Sequence, residues 1–267
     1  MDFEFDLKES IHKNISKYFE KAKMAKSKAE RIEQAIKEVE AKIKALESKK
    51  TIEGKKRPFR KRPREWYEKF RWFFSSEEFL VLAGRDAQTN ELLVKRYMEP
   101  EDIYFHADIY GAAHCIVKTA GRNPGEQTLK EAATFAAACS KAWQQGMAAI
   151  DVYSVKPEQV SKSAPSGEAL GHGAFMIFGK RNWFKNTPLD FAIGIEKFGD
   201  YYRIISGPSS AVKKHAIMSF ELLQGRKSKS DVAKHLKSLF EKKLETTLNL
   251  DEIMQMLPAD NIELKTG

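Results

Sequence analysis

Two histidines and an aspartate fall in one short stretch, HADIYGAAH, which runs from His106 to His114. On a strand, His106 and Asp108 share a face because side chains alternate with a period of two. With His114 they supply the donor types of a metal site or of an acid–base pair. No fourth ligand stands nearby and no nucleophile motif accompanies them. The preferred reading is therefore a hydrogen-bonded turn, with Gly111 in a backbone conformation closed to other residues. No metal, no cofactor and no catalytic residue is assigned.

Cations come next. GRDAQTNE (84–91) reads as the turn of a hairpin, with Asn90 a typical turn residue. Arg85 and Asp86 either form a local ion pair there or present Arg85 to a phosphate. The segment KPEQVSKSAPSGEALGH (156–172) is 17 residues long and holds Lys162 and Gly167. Connections of that length are usually functional or mobile. GKRNWFKN (179–186) then interleaves Lys180, Arg181 and Lys185 with Trp183 and Phe184. Cations meet phosphate and exposed rings stack on unpaired bases. The competing reading makes the two rings core anchors and the cations merely solvated. Lys95, Arg96 and Lys118, placed on strands, complete the candidate RNA-contacting set. A P-loop is excluded, because Gly173 stands one residue too far from Gly179–Lys180 and Arg181 replaces the magnesium-binding Ser or Thr. Cys115 and Cys139 match no paired metal spacing and read as small core fillers.

These residues need a scaffold. Strands are expected at 79–84, 91–97, 102–107, 114–119, 148–155, 173–179, 189–196 and 201–207, with one more over 212–223. An aromatic-rich helix is expected at 65–74. Thr128 and Glu131 have the spacing of a capping box, opening an alanine-rich buried helix that Gly146 stops. Helices over 230–243 and 249–258 close the chain. The fold class is α+β: a mixed, largely antiparallel sheet with packed helices, preceded by a long N-terminal coiled-coil helix. That helix follows from Ile11, Ile15, Tyr18, Ala22, Ala25, Ala29, Ile32, Ile36, Val39, Ile43 and Leu46, spaced alternately by four and three. Such a seam calls for a partner helix, from chain upstream or from a second copy. The domains read as 1–53 coiled-coil helix, 54–64 basic linker, 65–210 α/β domain and 211–267 a C-terminal strand and helices.

The charge is local. The 267 residues carry a net +9. Residues 1–65 hold 20 Lys+Arg against 12 Asp+Glu, whereas residues 66–267 hold 26 against 25. The linker concentrates it in Lys55, Lys56, Arg57, Arg60, Lys61, Arg62 and Arg64, where Pro58 and Pro63 forbid a continuous helix. This run is either a solvated spacer or a phosphate-contacting arm. No apolar run is long enough to span a membrane, and a reducing cytoplasm is expected from the cysteine usage.

WYEKFRWFFSSEEFLVLAGRDAQTNELLVKRYMEPEDIYFHADIYGAAHCIVK (66–118) resembles the RNA-binding module of the NFACT family of ribosome quality control factors. The likeness continues through QVSKSAPSGEALGHGAFMIFGKRNWF (159–184). SIHKNISKYFEKAKMAKSKAERIEQAI (10–36) is similar to the family's middle coiled coil, and residues 190–267 to the tail of archaeal-type members. The family's blocks fall on Arg85, Asp86, Asn90, His106, Asp108, Gly111, Lys162, Gly167, Gly179 and Lys180. Tyr110 departs from them, since a histidine usually precedes that glycine. The resemblance implies binding to tRNA or large-subunit rRNA and to the large ribosomal subunit, no membrane, and translation rescue. In full-length members it implies support for C-terminal tailing of the nascent chain. It also implies that this chain is the C-terminal part of a longer protein. The alternative is a coiled-coil scaffold or adhesin-like protein without RNA binding.

Overall fold

A computed structural model describes residue 6 and residues 8–53, 63–163, 170–244 and 246–265, with side chains described to residue 44 in the first helix. The chain divides into two compact units, 1–57 and 58–267.

The first unit is α1 (Ile11–Glu53), a helix of 43 residues. Its start is fixed by Asn14, whose side chain accepts from the Asp6 N–H at 2.9 Å and donates to the Asp6 carbonyl at 3.0 Å. Glu9 also pairs with Lys13 at 3.2 Å. The expected coiled coil is corrected: α1 is a single helix. Ile15, Ile32, Ile36, Val39 and Ile43 are all exposed, and no second helix lies along the seam among the described residues. Good helix formers carry the helix, and the heptad pattern alone supplies no partner surface.

The second unit holds two main sheets. The first has the order β1 (Arg71–Phe74), β2 (Leu80–Ala83), β4 (Cys115–Lys118), β3 (Ile103–Ala107), β5 (Ala149–Val155) and β8 (Asn182–Pro188). The second runs β10 (Tyr201–Gly207), β9 (Phe191–Phe198), β11 (Met218–Lys227) and β12 (Ile262–Leu264). A two-residue ribbon, β6 (Val160–Ser161) with β7 (Met176–Ile177), stands apart. Every pairing is antiparallel, so the expected single mixed sheet becomes separate antiparallel sheets.

Between the main sheets lies α3 (Glu126–Ala138), buried along Ala132, Ala133 and Phe135–Ala138. Phe135 links both sides, with its ring 4.7 Å from Phe73 of β1 and 6.1 Å from Phe191 of β9. The capping-box expectation is corrected. Gly125 caps α3, while Thr128 donates its N–H to Glu77 and Glu131 takes the Ser76 N–H at 2.8 Å. Tertiary partners outcompete the local cap.

Three other expectations change. Residues 65–74 form a 3₁₀ turn (Trp66–Lys69) followed by β1. Trp72 and Phe73 are both buried, because β1 has an apolar environment on each face. Residues 91–97 are not a strand. α2 (Ala87–Leu92) starts on Asp86, whose carboxylate accepts the Thr89 N–H, and continues as a π turn over Leu93–Tyr97. Residues 212–223 divide into the end of α4 (Ser209–His215) and the start of β11. α5 (Lys229–Leu244) and α6 (Leu250–Met256) match the two expected terminal helices.

Candidate nucleic-acid interface

The side of the first sheet that faces α3 carries Phe105 and Cys115, whose sulfur reaches the Ala132 carbonyl of α3. Strand alternation turns Tyr104 and His106 to the opposite face. There the register pairs His106 of β3 with Tyr153 of β5, and Tyr153 with Trp183 of β8. Three rings therefore line up across three strands, with centroids 5.8 Å apart for His106–Tyr153 and 5.4 Å for Tyr153–Trp183. Two cations lie on this row. The Arg181 guanidinium sits 4.5 Å over Tyr153 and the Lys185 ammonium 4.1 Å over Trp183. Trp183 is 40% exposed, as befits the edge strand of the sheet. Lys185 also pairs with Asp151 at 2.7 Å. Lys180 is exposed beside them.

The inner end of the row opens on a cleft of about 440 Å³, lined by His106, Tyr110, Gly111, His114 and Phe175 among others. The wall is built from neutral imidazoles. His114 Nε2–H donates to the Gly173 carbonyl at 2.8 Å, so its Nδ1 accepts the Tyr104 hydroxyl. Burial lowers its pKa. His106 drops to about 4, through burial first and the neighbouring His114 second. Asn90 closes the back wall, with its Oδ1 accepting the His114 N–H at 3.1 Å. Gly173 has φ +76°, and a Cβ there would stand 2.8 Å from the Ala87 backbone.

Glu91 organises the rim. Its carboxylate takes Lys95 at 2.6 Å, the Gly173 N–H at 2.8 Å, Lys162 at 3.1 Å and His172 at 2.9 Å. Lys95, the Gly173 N–H and Lys162 hold its pKa at about 2. Composition gave no hint of this role; the Glu91–Lys95 spacing of four on a helix was its only signal. Tyr153 was likewise missed, because its place depends on strand register.

The other nominated residues separate into two groups. Arg85 faces inward and donates to the carbonyls of Lys69 at 3.2 Å, Phe70 at 2.9 Å and Gln255 at 3.0 Å. It makes no ion pair with Asp86, which caps α2. Lys118 is held by Asp102 at 2.6 Å, Glu99 at 3.0 Å and the Tyr97 carbonyl at 2.7 Å. Lys162 reaches the carbonyls of Gly171 at 2.9 Å and Ala174 at 3.1 Å. These three work as braces. Arg96 and Asp108 are exposed. Gly111 has φ +71°, as the turn reading requires. His106 and His114 lie with ring centroids 5.2 Å apart, yet no three metal-ligating side chains gather among the described residues. Gly167 lies outside the described residues, as do Lys55, Lys56, Arg57, Arg60, Lys61 and Arg62. Arg64 is exposed.

The family model described as the NFACT protein RNA binding domain matches residues 69–179. The archaeal Rqc2 homolog aRqcH of Methanocaldococcus jannaschii is 41% identical over 204 residues, covering 76% of this chain and 30% of that protein. The ribosome quality control complex subunit NEMF of Homo sapiens is 40% identical over 181 residues, covering 67% of this chain and 16% of that protein. Subunit 2 of the same complex from Schizosaccharomyces pombe is 38% identical over 200 residues, covering 72% and 19%. The chain thus spans under a third of the length of these relatives.

Proposed function

We propose that this chain, which carries an NFACT RNA-binding domain and is homologous to the Rqc2/NEMF proteins, is the RNA- and ribosome-binding part of a ribosome quality control factor. It binds tRNA or large-subunit rRNA in the cytoplasm and docks on the large ribosomal subunit. In a longer protein it supports C-terminal tailing of the stalled nascent chain.

The observation that carries this reading is the row His106–Tyr153–Trp183 with Arg181 and Lys185 laid over it. Single-stranded nucleic acid is held by cations that track phosphates and by exposed planar groups on which bases stack. Here Trp183 is the exposed ring, at 40%, and Tyr153, 5% exposed, lies beneath the Arg181 guanidinium, which offers the next planar surface. Among the described residues Arg181 has no carboxylate partner, so its charge is available to a phosphate. The basic run Lys55–Arg64 adds a charge that does not discriminate between sequences.

Binding of the chain to purified large ribosomal subunits and to tRNA, measured across a salt series, tests this. Affinity falls steeply and linearly in log–log form as counterions are released. Neutralising Lys55–Arg64 lowers affinity without changing which RNA is preferred. Salt-insensitive binding, or none at low salt, contradicts the reading.

A further inference from the structure

The row does not end in solvent. His106 is both its last ring, 5.8 Å from Tyr153, and a wall of the cleft. A strand of RNA lying along the exposed Trp183 and the Arg181 guanidinium that sits over the buried Tyr153 is therefore led to the cleft mouth. The cleft differs from the row in its chemistry. Its cation, Arg85, is turned to the carbonyls of Lys69, Phe70 and Gln255. Its carboxylate, Asp86, is exposed and would repel a phosphate. The His106 and His114 imidazoles in its wall have pKa values lowered by burial and are neutral at physiological pH. Tyr110, 92% exposed, lines the cleft with Lys141 5.5 Å from its ring, and Phe175 adds a further apolar wall. Such a lining suits a flat, uncharged heterocycle with amide and amino edges, while phosphates stay outside with Arg181 and Lys185. About 440 Å³ lies in the range of small-molecule sites and exceeds what one base needs.

We propose that this cleft takes one unpaired nucleobase from the RNA held along the cation–aromatic row. The inference rests on the RNA-binding reading and adds the ligand class: a base that is free to leave its stack. Paired bases are shut out, since a duplex cannot insert one without breaking its pair.

Ala174 lines the cleft and is exposed, so Ala174→Trp fills the space from outside the core. The probe is a short fluorescent oligoribonucleotide, alone and hybridised to its complement, titrated into the full chain. Ala174→Trp weakens single-strand binding roughly tenfold, the worth of one stacked base, and leaves duplex binding unchanged. Tyr110→Ala, at an exposed position, weakens single-strand binding by a smaller factor. Thermal unfolding checks that each variant is folded; if Ala174→Trp is not, Tyr110→Ala decides alone. Unchanged single-strand affinity in the folded variant, or an equal loss for duplex, overturns the cleft while leaving RNA binding intact. A wild-type chain that binds neither probe overturns the RNA-binding reading, and the cleft with it.

Discussion

The turn after β2 and the edge at β8 both present arginine in a run of polar residues, and the fold uses them in opposite ways. At the turn, Arg85 is half-buried and its N–H groups end on backbone carbonyls from residues 69, 70 and 255. At the edge, the Arg181 guanidinium sits over the Tyr153 ring, 4.5 Å from its centroid, with no carboxylate partner among the described residues. Residue type is the same; what differs is the supply of acceptors within the protein. Carbonyls left open by the 3₁₀ turn and by the end of α6 capture Arg85. The outer face of β8 offers rings and solvent, so the cation remains free to meet an external anion.

Arg85→Ala has the largest expected effect on the molecule's stability. Removing the guanidinium takes this donor from the partly buried Phe70 and Glu68 carbonyls and from the exposed Lys69 and Gln255 carbonyls, at a cost of about 3 kcal/mol in unfolding free energy. Chemical denaturation measures it, and RNA affinity of the folded variant stays at the wild-type value. A stable variant with weakened RNA binding would reverse the roles given to the two arginines.

An effect of at most similar size separates the buried imidazoles from the exposed rim. His106 has a folded pKa of about 4 against an ordinary 6.5, and that of His114 is also lowered. The unfolded chain therefore binds more protons than the folded one between these values. Stability is complete above about pH 6.5 and declines as pH falls toward about 4, by up to ~3 kcal/mol. Glu91 and Glu221, with pKa values of about 2, lose their contribution only below the ordinary carboxylate range, so the upper window belongs to the histidines. Unfolding free energy followed from pH 7 to pH 4.5 reads this directly, and His106→Gln flattens the curve.

Much of the scaffold is legible from pattern. β3, β4, β5, β9 and β10 have the continuous apolar runs of buried strands, and α5 and α6 have helical spacing with clear stops. The region 85–97 misleads because Leu92, Leu93 and Val94 resemble a strand, while the deciding signal, Asp86 three residues before Thr89, is a short cap. The heptad seam of α1 is real as a pattern, yet a pairing pattern does not itself provide a pair. For the site, GKRNWFKN falls at the edge strand and supplies Trp183, Arg181 and Lys185. Sequence could not rank its cations against Arg85, Lys118 and Lys162, because whether a cation is a brace or a contact depends on which carbonyls and carboxylates the fold brings within reach. The row itself joins residues 106, 153 and 183, a proximity created by strand register.

The proposed RNA-contacting surface is the row on the first sheet and not the turn at Arg85. The most direct measurement is the salt dependence of single-stranded RNA binding by the Arg181→Ala/Trp183→Ala/Lys185→Ala variant beside the wild-type chain. With two cations removed, the log–log slope becomes shallower by roughly two phosphate contacts, and affinity falls by about two orders of magnitude. An unchanged slope and affinity in the folded triple variant would contradict the account.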